Sequence, residues 1–600
     1  MKKAIFTLFL VTSLCSVFAQ SSDKRLKGVD KELEKVLETW KAAGFAVAVV
    51  EKNKIIYAKG FGYRDYENKT PVTANTLFAI GSCSKAFTVS LLGMLEKEDK
   101  ISLDASPTDY VPDFKFYNDE LNSQVTIKDM MSHRTGLPRH DYSWYLFPTE
   151  SRDSLIKRIA FQEPFTGIRK KWYYNNFMYL GQGVIIEKVT GKSWEENVSE
   201  KIFKPIGMLR SNLTIEDLEK DPDSALGYEL KNDTLINKLD YYNIAAMSPA
   251  GSINSSVTEM SNWLMTWING GKFNGDEIIP ANFVTQAMSS QMVVRGGLPG
   301  KENPDLHISN YGYAWSISSY KSHYRVEHGG NIDGFSASTS FFPSDSVGII
   351  VLANQDGSRI PAIVRNIMAD RMLGTSRTNW NQTLKDRQDK AIADQKEAKK
   401  DAISDKVTGT SPSHALEAFA GEYSHPGYGD FDVIVEGDSL FAQFALMKFW
   451  LKHYHYDVFE TYLVEDSGID TSEPSDLRIN FSTNNTGEIS GLKVKFEAAL
   501  DPLEFKHTPL GIDVDIETLQ RYVGEYELSG TTIKVFIKGE DELYLFVPGQ
   551  PEYELFATAV HKFSIKSLEG YSVSFSEGEG GEINEVSFIQ PNGTFKATRK

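Results

Sequence analysis

Ser82 and Lys85 stand three residues apart where an extended stretch, Thr76-Leu-Phe-Ala-Ile-Gly, passes into an apolar run. Phe87, Val89, Leu91, Leu92, Met94 and Leu95 crowd that run, which predicts a buried helix with Ser82 at its start. Residues i and i+3 share a helix face, so the Lys85 amine reaches the Ser82 hydroxyl. A serine hydroxyl is a weak nucleophile until an adjacent base removes its proton. The unpaired N–H groups of a helix start favour negative charge developing beside Ser82. As that base Lys85 has to be neutral, a state that burial or cationic neighbours favour. The same spacing recurs at Ser21, Ser154, Ser318 and Ser490, so spacing alone selects nothing; the strand–turn–helix context sets Ser82 apart. Cys83 adjoins it, but a nucleophilic cysteine takes a histidine partner, and Cys83 reads as a small core-facing residue.

Two further polar constellations follow, Tyr174-x-Asn176 and His328-Gly-Gly330. The elements that must carry them to Ser82 begin with a helix over 31–43, with Leu33, Val36, Leu37 and Trp40 at helical spacing. Two apolar runs around Glu51-Lys-Asn-Lys54 then predict a β-hairpin. A short helix over 125–131 stops at Ser132-His-Arg-Thr-Gly-Leu-Pro138, and the loop holding Tyr174 feeds a helix capped by Gly191. A further helix covers 259–269. Strands at 313–318, 324–327, 336–342 and 347–353 and a helix at 359–373 close the region. The order predicts an α/β (α+β) domain, an antiparallel sheet flanked by helices.

Six hundred residues exceed one core. A net charge of −17 argues against nucleic acid or an anionic membrane surface as partner. Lys2 and Lys3 before the apolar run 4–14, with Val17-Phe-Ala19, predict a signal peptide over 1–19 and an exported protein, periplasmic or secreted. No other run approaches a membrane span. With only Cys15 and Cys83, the mature chain holds no internal disulfide. After a first domain at 20–375, residues 376–412 read as a charged, solvated helical linker. Beyond it Phe419-Ala-Gly-Glu-Tyr423 recurs as Tyr522-Val-Gly-Glu-Tyr526, and Gly487-Glu-Ile-Ser as Gly581-Glu-Ile-Asn. The repeat predicts two small antiparallel β-domains, barrel- or lipocalin-like, at 413–508 and 509–600. His453 and His455 lack a third ligand, and no metal-ligand spacing occurs elsewhere, so neither metal nor cofactor is expected.

Ser82-x-x-Lys85, Tyr174-x-Asn176 and His328-Gly-Gly330 in this order resemble the serine β-lactamase and penicillin-binding-protein-like superfamily. Within it the chain is most similar to the class C β-lactamase, D-aminopeptidase and esterase group. Tyr57-Ala-Lys-Gly-Phe-Gly62, Thr76-Leu-Phe78, Ser132–Pro138, Pro249-Ala-Gly-Ser252 and Gly334-Phe with Asn354 extend the likeness over 28–375. The resemblance implies a β-lactamase-like transpeptidase fold, with Ser82 as acylated nucleophile, Lys85 as its proton partner and Tyr174 as proton shuttle. Asn176 would bind substrate and hold Lys85, although Tyr173-x-Asn175 fits the same pattern. The oxyanion would lie between the N–H groups of Ser82 and Asn331, with Gly330 allowing the close approach. His328 stands where β-lactamases and DD-peptidases carry a lysine that binds the substrate carboxylate; histidine there resembles the D-aminopeptidase and esterase members. The expectation is an exported serine hydrolase of small esters, amides or D-amino-acid-containing peptides. The alternatives are a penicillin-binding DD-carboxypeptidase or β-lactamase and, in another class, a non-catalytic cell-wall-binding or sensing protein. Oligomeric state stays open.

Overall fold

The computed structural model describes residues 23–600 apart from 241–242, 297, 301–306, 402–403, 466–467, 486, 540, 567 and 569. The expected signal segment, 1–19, lies outside the described residues. Two units divide the chain: Met1–Arg139 with Thr149–Ala402, and His140–Pro148 with Ile403–Lys600. Among the described residues no helix is long and apolar enough to cross a membrane.

The first unit is built on a nine-stranded antiparallel sheet. Its strands are β1 (Gly44–Glu51), β2 (Lys54–Asp65), β3 (Thr70–Pro71), β4 (Met292–Val293), β5 (Ser309–Tyr311), β6 (Ser316–Tyr320), β7 (His323–Ile332), β8 (Phe335–Phe342) and β9 (Val347–Ala353). They lie in the order β4-β5-β6-β7-β8-β9-β1-β2-β3. The uninterrupted apolar run of β1 is buried on both faces, as a central strand requires. Phe45, Val47 and Val49 pack under helices α1 (Val29–Trp40) and α5 (Ile360–Met372). On the other face, Val50 and Leu264 crowd Gly348, which places helix α4 (Val257–Ile268) there. The predicted four-residue turn between β1 and β2 is shorter. Glu51 and Lys54 pair, leaving Lys52 and Asn53 as a two-residue turn with Lys52 at a left-handed φ of 55°.

Helix α2 (Lys85–Lys97) is buried from Lys85 through Leu95, which accounts for apolar residues on every side of it. Ser82 is not in its first α-turn but in the 3₁₀ turn Gly81–Ser84 that leads into it. Three residues per turn set i and i+3 in register, which brings Lys85 onto Ser82. Helix α3 (Phe177–Thr190) follows the Tyr174 loop and ends at Gly191, φ 70°. The charged helix α6 (Trp380–Asp401) starts within the expected linker, yet its first turn is anchored. Trp380 Nε1 donates to Asp370 at 2.8 Å and Asn381 Oδ1 accepts from Trp40 Nε1 at 2.8 Å, so the first unit extends past 375.

In the second unit, Gly421–His425 through Leu503–Thr508 form a closed eight-stranded antiparallel barrel, with the short strand Gly468–Ile469 appended. Gly524–Leu528 through Gly593–Arg599 close a second eight-stranded barrel. The sequence repeat has a physical meaning here. Tyr423 OH donates to Phe419 O and Tyr526 OH donates to Tyr522 O, both at 2.8 Å, so each Phe/Tyr-x-Gly-Glu-Tyr closes its barrel at the same corner. One correction concerns 140–148, expected within the hydrolase domain. Leu146 and Phe147 are buried in the core of the first barrel, with the Phe147 ring stacked on Phe505 at 5.9 Å. Ser143 Oγ donates to Gly427 O at 2.8 Å.

Phe147→Ala is expected to destabilise the first barrel by about 3–5 kcal/mol, the cost of an aromatic-sized core cavity. Hydrogen exchange over Phe431–Val433 checks this: protection falls in the variant, and unchanged protection refutes it.

Candidate active site

The Lys85 side chain is fully buried. Its Nζ lies 3.1 Å from Ser82 Oγ, 2.7 Å from Asn176 Oδ1 and 2.7 Å from Ala250 O. Three acceptors match the three N–H bonds of an ammonium group. In the neutral amine, two N–H bonds stay with Asn176 and Ala250, and the lone pair is left facing the Ser82 hydroxyl. One arrangement therefore serves both protonation states of the exchange. The same geometry separates the two registers that the sequence left open. Asn176 holds Lys85, whereas Asn175 donates through Nδ2 to Pro138 O at 2.6 Å and accepts from Met178 N at 3.1 Å.

The Tyr174 ring lies 4.9 Å from Lys85 Nζ and 4.3 Å from the His133 ring. His133, at a left-handed φ of 54°, is buried behind Tyr174 and accepts from Asn175 N on Nδ1 at 3.2 Å. Burial, reinforced by the charges of Lys85, His328 and Arg139, holds its pKa well below the usual histidine value. His133 therefore braces Tyr174 as a neutral ring.

Strand β7 supplies the opposite wall. Its pairing with β6 stops at Ser316–Glu327, so from His328 to Ile332 one edge of β7 is left open towards Ser82. A Cβ on Gly330 would stand 1.9 Å from Ile80 O and 3.2 Å from the Ser82 nitrogen, and a Cβ on Gly81 3.0 Å from the Asn331 nitrogen. Only glycine lets these backbones approach so closely, which brings the amides of Ser82 and Asn331 to the same spot. The Asn331 side chain is committed elsewhere: Oδ1 accepts from Ser336 Oγ and Gly357 N, and Nδ2 donates to Asp356.

His328 is buried between two partners. Nδ1 lies 2.6 Å from Gly329 O, which only accepts, so Nδ1 carries the proton and Nε2 accepts from Tyr311 OH at 2.9 Å. Burial first, and the charge of Lys85 second, lower its pKa to about 4. At neutral pH this position offers an uncharged imidazole. Tyr311 was not legible in the sequence, because only the β5 placement brings it to His328. Cys83 donates its S–H to His328 O at 3.3 Å, and burial pushes its thiol up to about 11, which keeps it a neutral thiol at neutral pH.

A cavity of about 730 Å³ opens over Ser82, Tyr174, His328, Gly330 and Asn331. Lys85 and Asn176 lie beneath its floor. A second cavity of about 30 Å³, mainly apolar, lies among Leu213, Leu218, Ile244 and Phe335. Among the described residues no cluster of His, Cys, Asp and Glu suits a metal ion.

A serine hydroxyl on a buried lysine, faced by a tyrosine and an open strand edge with glycine-permitted amides, is an arrangement suited to serine acyl transfer on this sheet-and-helix fold. The Beta-lactamase family matches residues 29–369, and the chain belongs to it: it is a serine hydrolase. Residues 405–507 match the Domain of unknown function (DUF3471). Among curated relatives, Unguisins hydrolase ungD of Aspergillus violaceofuscus (strain CBS 115571) is 26% identical over 436 residues, 68% of this chain and 76% of that protein. Protein flp of Staphylococcus aureus (strain N315) is 24% identical over 341 residues, 56% of this chain and 65% of that protein. Among solved structures, the octameric penicillin-binding protein homologue from Pyrococcus abyssi shares the fold with a TM-score of 0.54. It is 21% identical and covers 80% of this chain and 100% of its own.

The depressed His328 value has a consequence for stability. An unfolded histidine titrates near 6.5 and the native one near 4, so between those pH values the unfolded chain binds a proton that the native chain does not. Stability is full above pH 6.5 and falls by roughly 3 kcal/mol on acidification to pH 4. Urea unfolding followed by tryptophan fluorescence at pH 7 and pH 4.5 checks this. His328→Gln is expected to lose less stability between the two than the parent; an equal loss in both removes His328 as the cause.

Proposed function

We propose that the protein is an exported serine hydrolase that acts through a Ser82 acyl-enzyme on small esters, amides or D-amino-acid-containing peptides. The contact that carries the proposal is Lys85 Nζ held at 3.1 Å from Ser82 Oγ beside an open strand edge. Ser82 Oγ attacks the substrate carbonyl carbon while its proton passes to Lys85. Negative charge moves to the carbonyl oxygen, which the N–H groups of Ser82 and Asn331 stabilise. Collapse breaks the bond to the leaving group, which takes a proton from Tyr174, and Lys85 makes good that proton. Water then attacks the acyl-enzyme by the same route in reverse, releasing the acid and restoring the Ser82 hydroxyl. A neutral His328 favours this substrate range over penicillins, because it offers no cation to a carboxylate at the lysine position. Export rests on the composition of 1–19, with a periplasmic or secreted destination.

Intact-mass spectrometry after exposure to a fluorophosphonate and, separately, to a penicillin tests this, with Ser82→Ala as control. An adduct from the fluorophosphonate alone, absent in the variant, is the expected result. A stable penicilloyl adduct would transfer the assignment to a DD-carboxypeptidase. No adduct from either would point to a non-catalytic binding protein.

A further inference from the structure

Ser132-His-Arg-Thr-Gly-Leu-Pro138 runs alongside the loop that carries Tyr174 and is tied to it along its length. Tyr173 N donates to His133 O at 3.0 Å, Arg169 N to Arg134 O at 2.7 Å and Phe165 N to Gly136 O at 3.1 Å. Asn175 Nδ2 donates to Pro138 O at 2.6 Å. Gly136, at φ 91°, lets the two backbones meet, since a Cβ there would stand 2.3 Å from Thr166 O. Leu137 is fully buried, so side chain and backbone together fix where the turn ends. The consequence is a frame around Tyr174. His133, near its start, lies behind the ring; the residue that follows Pro138 is Arg139. Arg139 is exposed and lines the same cavity as Ser82 and Tyr174, with its guanidinium carbon 4.9 Å from the centre of the Tyr174 ring.

Two cations therefore stand against this ring, Lys85 Nζ and the Arg139 guanidinium, each at 4.9 Å. His328, with its ring centre 6.3 Å from that of Tyr174, is neutral at pH 7 and adds no charge. The two cations differ in kind. Lys85 takes and returns the proton of the exchange, so its charge changes during the reaction, whereas a guanidinium keeps its charge throughout. As the leaving group departs, the bond from the acyl carbon breaks with its electron pair on the leaving oxygen or nitrogen. The Tyr174 proton moves onto that atom, and the negative charge rests on the phenolate until Lys85 returns a proton. A fixed positive charge over the ring stabilises the phenolate more than the neutral phenol.

We infer that Arg139 is a positioning residue for leaving-group departure: held over Tyr174 by the Ser132–Pro138 turn, it makes the tyrosine a stronger proton donor. The role rests on the serine-hydrolase reading and deepens it. It extends the substrate range to alkyl esters and amides, whose leaving groups cannot depart without a proton.

Two esters that form the same butyryl-enzyme test it, 4-nitrophenyl butyrate and methyl butyrate. Nitrophenolate leaves unprotonated at neutral pH, whereas methoxide needs a general acid. Compared as kcat/KM, the pair reports transition-state stabilisation up to acylation. Arg139→Gln is expected to lower kcat/KM about tenfold for methyl butyrate and no more than about twofold for the nitrophenyl ester. Arg139→Lys keeps the charge and should recover part of the loss. Labelling of Ser82 by a fluorophosphonate should proceed at the parent rate in Arg139→Gln, because the serine and its lysine are untouched. Equal falls for both esters with slower labelling, the mark of a merely structural effect, would overturn the role. So would an unchanged methyl butyrate value in Arg139→Gln, or a parent that hydrolyses the nitrophenyl ester alone. Failure of the hydrolase reading looks different: neither ester turns over in the parent and fluorophosphonate leaves Ser82 unlabelled.

Discussion

Burying an amine without a fixed set of acceptors is expensive, and the hydrolase unit is arranged around meeting that requirement at Lys85. Three of its hydrogen bonds come from three separate parts of the chain: the 3₁₀ turn before α2, the Asn176 loop before α3, and the Ala250 carbonyl before α4. None of these segments neighbours another in sequence. The nitrogen therefore ties the helical layer together at the one point where chemistry needs rigidity. The glycines at 81 and 330 answer the same need, since the strand edge must meet the serine turn at backbone distance.

The open edge of β7 is the second constraint. An unpaired strand edge offers N–H and C=O groups to whatever approaches, a liability in most sheets and a use here. It arises because β6 pairs with β7 only from His323 to Glu327. The remaining five residues, His328 to Ile332, have no strand partner on that side among the described residues, while pairing with β8 holds them in shape. Tyr311 closes the end of this opening by fixing His328, and His133 packs at 5.1 Å from the Tyr311 ring. The buried neutral rings of His133 and His328 and the Tyr311 ring thus pack beside Tyr174 and Lys85, while Arg139 covers the outer face of the Tyr174 ring at 4.9 Å.

Much of this was legible in the sequence because it depends on local order. The hairpin at 44–65, the buried helix after Ser82, the strands from 316 to 353 and the repeated Phe/Tyr-x-Gly-Glu-Tyr corner all follow from periodicity or short spacing. The parts that were not legible depend on contacts between distant residues. Tyr311 looks like any strand tyrosine until β5 places it on His328. The segment 140–148 looks like a loop of the hydrolase domain, and only the barrel core explains why it carries Tyr142, Leu146 and Phe147. Trp380 likewise hid the anchored start of a helix whose remaining length is charged.

The histidine at 328 decides how charge is distributed over the site. With Nδ1–H donated to Gly329 O and Nε2 receiving the Tyr311 hydroxyl, both nitrogens are engaged in the neutral form. Protonation would set an N–H against the Tyr311 O–H and add a second charge beside Lys85, and burial opposes it further. Positive charge at the mouth of the site therefore comes from Arg139, whose guanidinium lies 4.9 Å from the Tyr174 ring, and from the other side of the strand, where Arg325 and Arg365 outnumber Glu327 and Arg359 immediately precedes α5. With His328 neutral, the cations at this cavity are the guanidiniums at its rim and the buried Lys85, which keeps the field at the mouth apart from the hydrogen bonds that hold Lys85.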